Sequence, residues 1–289
     1  MISKRQQRLV NKSVSPEFED VKAGGATAFM PFFFAQVTLP HKKTKCKYFK
    51  RGTSNLNLSI MEHPDYGIPY GMMPRLLIAW MCTEACRTRS PELYLGRNQN
   101  EFLNKLQLPS DGRYIKNLNE QILALVWSQI SIKGSRVKNL NFESIQIANN
   151  GFVFWSPSHS GKIRKWTNTL TLSPDFYKAI TMAPVPLHIE TLHSLRKSPL
   201  AMDIYTWLVY RMFTLKVAAK WGRSNDVKIH WADLKCQFGG DYENTPQGVR
   251  SFRVNFLKQL KGVLLFYPEA RNFIEEDANY LILKPGARL

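Results

Sequence analysis

Apolar positions along the chain recur in two matching rhythms. The first starts with RLLIAWMCTEACRT, apolar nearly all round and therefore a buried helix, which Pro74 opens at a position where its missing N–H leaves nothing unpaired. A short strand at Glu92 to Leu95 follows, then a helix from Asn98 to Leu106 with Phe102, Leu103 and Leu106 facing a core, and the turn PSDG. The next helix, near Gly112 to Val126, carries Ile115, Leu118, Ile122 and Leu125 as its core stripe and leads into the apolar strand WSQISI. The second rhythm repeats the order. Helix Pro199 to Val217, strand VKIHW, helix WADLKCQFG, the turn GGDYENTP, helix Thr245 to Gly262 with Val249, Phe252, Phe256 and Leu260 on one face, and strand VLLFYP succeed one another.

Helix, strand, helix, turn, helix, strand is the order of a winged helix-turn-helix module, whose last helix can enter a DNA groove. The pattern predicts an α+β chain of tandem winged helix-turn-helix domains with a basic N-terminal extension. Residues 1–28 are expected as a flexible N-terminal segment, 29–182 as the first winged-helix domain with an N-terminal strand extension, and 183–289 as the second winged-helix domain. The boundary falls at MAPVPLHIE, where Pro184 and Pro186 disfavour continuation of the helix at 174–181 and predict an extended connector. Wing hairpins are expected at GFVFWSP, beyond the polar loop GSRVKNLNFESIQIANN, and at LLFYPEA with NYLILKPG, joined by RNFIEEDA.

Near the N-terminus, the dense aromatic run GGATAFMPFFFAQVTLPH is too short to cross a membrane and packs either in a core or against a partner. It precedes the basic cluster Lys42, Lys43, Lys45, Lys47, Lys50 and Arg51, a solvated face or a phosphate contact. Leu56, Leu58 and Ile60 then alternate as in a half-buried strand.

Charge sharpens the picture. The 289 residues include 40 Lys and Arg against 22 Asp and Glu, a formal charge of +18, so the surface field favours a polyanion. No apolar run is long enough for a membrane span, and the charged N-terminus lacks the apolar core of a secretory signal, so the expected location is the cytoplasm. Cys46, Cys82, Cys86 and Cys236 have no CxxC spacing and are expected to be buried free thiols.

Candidate DNA-binding residues follow from the helix faces and loops. Arg113, Lys116 and Asn117 lie off the core stripe of the first reading helix, beside Glu120, where groove reading and plain solvation are equally good accounts. Lys133 and Arg136 stand in one basic loop, with Lys162, Arg164 and Lys165 in another. On the second reading helix, Gln247, Arg250, Ser251, Arg253 and Lys258 make a polar face without an acid. Enzymatic patterns do not emerge. There is no GxxxxGK[ST] loop, HExxH or GxSxG, and His188 and His193 have the wrong spacing for a metal-assisted nickase. The expectation is DNA binding without covalent chemistry and without a cofactor.

The segments LPHKKTKCKYFKRGTSNLNLSI, GIPYG-x-x-PR and W-x-x-TEA-x-RT-x-SPEL-x-LG, followed by FLNKLQLPSDGRYIKNLNEQILAL, resemble the plasmid-encoded replication initiators of the RepA C-terminal family. The likeness runs from about Phe29 to Ile132 and continues more weakly to the C-terminus. It implies binding to repeated double-stranded sequences at a plasmid origin, local opening of the duplex and recruitment of host replication proteins. It further implies a dimer that interconverts with a monomer and represses its own promoter. The alternative is a winged-helix transcriptional repressor without origin activity. Within the signature, Glu84 is expected to pair with an arginine such as Arg87, or to face a partner.

Overall fold

The aromatic run ahead of the basic cluster is the first part of the chain whose structure is described. The computed structural model describes residues 27–53, 55–134, 142–148, 169–222 and 225–286. Strand β1 (Thr27–Pro31) turns back at Phe32, and everything from Ala28 to Pro40 except Gln36 is buried, so this run is core. Strands β2 (Tyr48–Gly52) and β3 (Leu56–Met61) form a hairpin in which Leu56, Leu58 and Ile60 point inward, as their alternation predicts.

Helix α1 (Met72–Thr88) is buried along nearly all its length. It begins two residues earlier than expected, with Pro74 inside the first turn, where a backbone donor is still dispensable. Strand β4 (Glu92–Tyr94), helix α2 (Gln99–Lys105), helix α3 (Gly112–Trp127) and strand β5 (Gln129–Gly134) come next. Residues expected as a polar loop contribute strand β6 (Phe142–Ile145), which pairs with β5 and makes a hairpin earlier than GFVFWSP, a segment outside the described residues. Strand β7 (Thr169–Thr171) and helix α4 (Pro174–Thr181) follow. MAPVPLHIE is extended, but as strand β8 (Pro184–His188) it pairs antiparallel with β1, bringing Val185 opposite Met30.

Helices α5 (Ile189–Ser194) and α6 (Pro199–Lys220) lead to strand β9 (Val227–His230), helix α7 (Trp231–Phe238) and helix α8 (Pro246–Phe266). Helix α8 overruns the segment expected as strand VLLFYP. Val263 continues the buried stripe of Phe252, Phe256 and Leu260, and a short apolar run of this kind does not by itself distinguish strand from helix end. A 3₁₀ turn (Pro268–Phe273) then delivers strands β10 (Ile274–Glu276) and β11 (Tyr280–Leu283). The strand expected to open the C-terminal hairpin therefore lies later than expected, at residues 274–276.

The two rhythms share element order but not strand pairing. In the second, β9 joins the terminal hairpin in the order β10-β11-β9. In the first, β5 leaves β4 and completes a sheet ordered β2-β3-β5-β6, while β4 pairs with β7. One hydrophobic cluster runs from Phe29 to Leu283 through both halves.

An ionic cluster crosses that core. Arg75 of α1 grips Asp203 of α6 with two bonds, Nε to Oδ1 at 2.7 Å and Nη2 to Oδ2 at 2.6 Å. It also donates to the carbonyls of Leu39, Pro40 and Gly71. His41 Nε2 meets Asp203 Oδ2 at 2.8 Å. Gly71, at φ 79°, adopts a left-handed conformation that glycine takes without strain, and its N–H donates to the Pro40 carbonyl. Nearby, Arg51 is buried and bonded to Thr38 Oγ1 at 2.7 Å and to the Leu39 carbonyl, and burial pushes its pKa down to about 10. It is therefore not the phosphate contact contemplated for the basic cluster.

The cluster makes stability depend on pH. Burial alone raises the Asp203 carboxyl, but the charge of Arg75 and hydrogen bonds from His41 and Arg75 outweigh it and hold its pKa below the ordinary value. Burial also keeps the His41 imidazole below its ordinary 6.5, against the pull of Asp203. For both groups the unfolded chain binds protons first, so stability is present above the unfolded pKa and lost as pH falls through the folded one. His193 is shifted in the same direction by burial. Urea unfolding should therefore show stability falling once pH drops below about 6.5, with a shallower fall in His41→Gln; constant stability from pH 7.5 to 5 contradicts this. Asp203→Ala should cost about 3–5 kcal/mol at pH 7, because it leaves the Arg75 guanidinium buried without its acid; a loss below about 1 kcal/mol would show that the cluster is dispensable.

Candidate nucleic-acid interface

Helix α8 is set up by its preceding turn. Thr245 caps it, its Oγ1 accepting from the Gly248 amide at 3.0 Å. Lys235 of α7 reaches Asn244 Oδ1 at 2.7 Å, and Asn255 donates to the Tyr242 hydroxyl at 2.9 Å, so both ends of the turn are tied to helices. Gly248 is required by space: a Cβ there would come within 2.1 Å of the Glu243 carbonyl oxygen. Phe252, Phe256, Leu260 and Val263 anchor the inner face.

The outer face is solvent-exposed at Gln247, Arg250, Ser251, Val254, Lys258 and Lys261. These positions recur at spacings of three and four residues, hence on one side of a helix. Val254 and Lys261 were not among the residues singled out from sequence. Val254 is 70% exposed, an apolar side chain amid a basic face. Continuing the three-and-four spacing beyond Lys258 would have found Lys261.

Arg253 is a correction to the expected polar face. It lies over the Trp231 ring, 5.4 Å from its centroid, and its Nη2 pairs with Glu276 Oε2 at 2.6 Å. Half-buried and committed to strand β10, this side chain joins helix α8 to the hairpin instead of facing outward. The hairpin is further tied down where Trp231 Nε1 donates to the Asp277 carbonyl at 3.1 Å. Asp277 Oδ1 accepts from the Asn279 and Tyr280 amides, which holds its carboxyl below the ordinary range. Two of the acids at this tip thus serve local structure, Glu276 on Arg253 and Asp277 on its own turn.

Helix α3 offers a different face. Arg113 and Lys116 are exposed and Asn117 is half-buried, with Lys116 Nζ 4.0 Å from Glu120 Oε1. Its N-terminus is capped by a carboxylate, Asp111 Oδ1 accepting from the Arg113 and Tyr114 amides at 2.9 and 3.0 Å. An acid at this end repels a phosphate that the bare helix terminus would attract, whereas the Thr245 hydroxyl on α8 adds no charge. Lys133 is exposed near the end of β5. Arg136, Lys162, Arg164 and Lys165 lie outside the described residues. In the signature, Arg87 forks onto Glu84 at 2.7 and 3.1 Å, the expected local pair. Lys42, Lys43, Lys45, Lys47 and Lys50 are exposed.

The cysteines depart in part from expectation: Cys82 is buried, its thiol pKa pushed well up by that burial, and Cys86 half-buried, but Cys46 and Cys236 are exposed. Cys46 stands between the exposed Lys45 and Lys47, and Cys236 lies on the solvent side of α7. Among the described residues, no group of His, Cys, Asp or Glu side chains is placed to hold a metal ion, and no helix is long and apolar enough to cross a membrane.

The architecture is a mixed helix-and-sheet fold similar to that of a solved structure described as domain 2 and domain 3 of RctB. That likeness has a TM-score of 0.53 at 13% identity and covers 88% of this chain and 98% of the other. A second structure of RctB domains 2-3 aligns with a TM-score of 0.46 at 13% identity, over 86% of this chain and 95% of that one. A comparison with curated proteins finds no match. The family described as plasmid encoded RepA protein matches residues 68–232, more than half of the sequence, and the chain belongs to that family.

Two substitutions test how the face is held. Gly248→Ala should destabilise the protein by about 1–3 kcal/mol, since the turn at Glu243 must move to admit a methyl group; unchanged chemical denaturation would mean that the turn is soft. Arg253→Ala should cost about 1 kcal/mol and raise amide exchange in residues 274–283, because it removes both the contact with Trp231 and the tie to Glu276. Unaltered exchange in that hairpin would return Arg253 to the outward face.

Proposed function

We propose that the protein is a plasmid replication initiator that binds repeated double-stranded DNA at its origin through helix α8. The observation that carries this reading is the exposed face Gln247, Arg250, Ser251, Val254, Lys258 and Lys261, basic and free of acids, on a helix whose cap is uncharged, in a chain of the RepA family. The order β10-β11-β9 around α7 and α8 supports a winged helix in the C-terminal half. Arg250 and Gln247 have the donors to read base edges, Lys258 and Lys261 supply phosphate contacts, and the hairpin at residues 274–283 flanks the groove.

The first half has the same element order and a mixed-sign face on α3, which favours a supporting or pairing role over sequence reading. If both helices engage one duplex, they occupy major grooves about 34–36 Å apart. Copies bound on adjacent repeats then bend the DNA and offset the few kcal/mol needed to unstack a neighbouring segment. Recruitment of host replication proteins and repression of the protein's own promoter, with a dimer in equilibrium with a monomer, complete the proposal. No covalent step is required.

Gel-shift titration against DNA flanking its own gene tests the reading. Arg250→Ala should weaken specific binding by about 1–3 kcal/mol, while Lys258→Ala lowers affinity evenly across sequences and reduces the salt slope by about 1. If Arg250→Ala bound as tightly as wild type, α8 would lose its reading role. A transformation assay with an origin-bearing plasmid separates initiation from repression alone.

A further inference from the structure

A cavity of about 400 Å³ opens between the two halves. Its wall draws Gln36, Gly52 and Thr53 from the β1 and β2 region and Trp207, Arg211 and Cys236 from α6 and α7. The size falls within the range of small-molecule sites, and the lining combines polar groups with the Trp207 and Ile229 side chains.

Arg211 is the unusual member. Its Nε is enclosed without a hydrogen-bond partner, and among the described residues no acid pairs with its guanidinium, although Asp233 lines the same cavity. Burial pushes its pKa below the ordinary guanidinium value. The contrast with Arg75 is sharp, because that buried guanidinium has a forked carboxylate and three carbonyls. Arg211 is half-buried, its Nε closed off while the residue lines the cavity, and among the described residues no carboxylate offsets the cost of that partial burial. The planar fork of arginine matches phosphate and carboxylate oxygens in pairs.

We propose that this cavity binds a small phosphate-bearing molecule of up to nucleotide size, its phosphate paired with Arg211 and its remainder filling the space beside Trp207 and Ile229. Residues of both halves line the site, so an occupant bridges them and its binding is linked to their relative placement. The assignment is independent of duplex recognition by α8, whose outer face lies elsewhere.

The test uses the full chain, with AMP and inorganic phosphate as probes and citrate as a carboxylate control. Maleimide alkylation of Cys236, which lines the cavity, should slow at least severalfold under saturating AMP or phosphate, while exposed Cys46 reacts at an unchanged rate. In calorimetric titration, Arg211→Met should weaken AMP binding tenfold or more, and the unliganded variant should melt at or above the wild-type temperature. Should Arg211→Met fail to fold, the wild-type alkylation decides. Equal AMP affinity in wild type and Arg211→Met overturns the proposal. So does protection of Cys236 by citrate or by duplex DNA with none from AMP or phosphate, or equal slowing of both cysteines.

Discussion

Asp203 holds three parts of the chain at once. Its carboxylate takes two bonds from Arg75 and one from His41, while Arg75 reaches the carbonyls of Leu39, Pro40 and Gly71. Helix α1, the segment after β1 and helix α6 are thereby fixed to one another across the boundary between the halves. Buried ion pairs stabilise little relative to an apolar core, but a broken one is strongly unfavourable, so such a cluster selects a single arrangement. The Gly71 conformation and the proline-rich entry to α1 make sense in this setting, because they deliver the Arg75 guanidinium and the Gly71 carbonyl to the same point.

The pairing of β1 with β8 acts in the same direction. It draws MAPVPLHIE back to the N-terminal strand before α6 begins, and the core continues from Phe29 to Leu283. The halves are thus packed units and not beads on a tether. This gives the cavity around Arg211 its two-sided wall, and it sets the spacing of α3 and α8 by packing, without reliance on a flexible linker.

Much of the candidate interface was legible in one dimension. Helix α8 shows its inner stripe and its basic outer face in sequence, since a helix with no acid on its polar side is uncommon in a merely soluble surface. Arg253 was misplaced because helical spacing assigns a residue to a face but does not say what packs over the flank, here Trp231 and Glu276. Arg51 was misplaced for a related reason: it stands in a run of lysines, yet its position on β2 alternates inward. The strand expected at VLLFYP continued α8 instead, because a few apolar residues satisfy both periodicities.

By itself, the sequence determined the longer helices and their order, the buried character of α1 and the net positive charge, because these depend on local periodicity and on composition. Tertiary structure alone decided that β5 joins β3 while β4 pairs with β7, that Asp203 serves Arg75, and that no acid among the described residues pairs with Arg211. Those facts depend on which distant segments meet, and residues 128 positions apart in the chain, as Arg75 and Asp203 are, carry no local sign of each other.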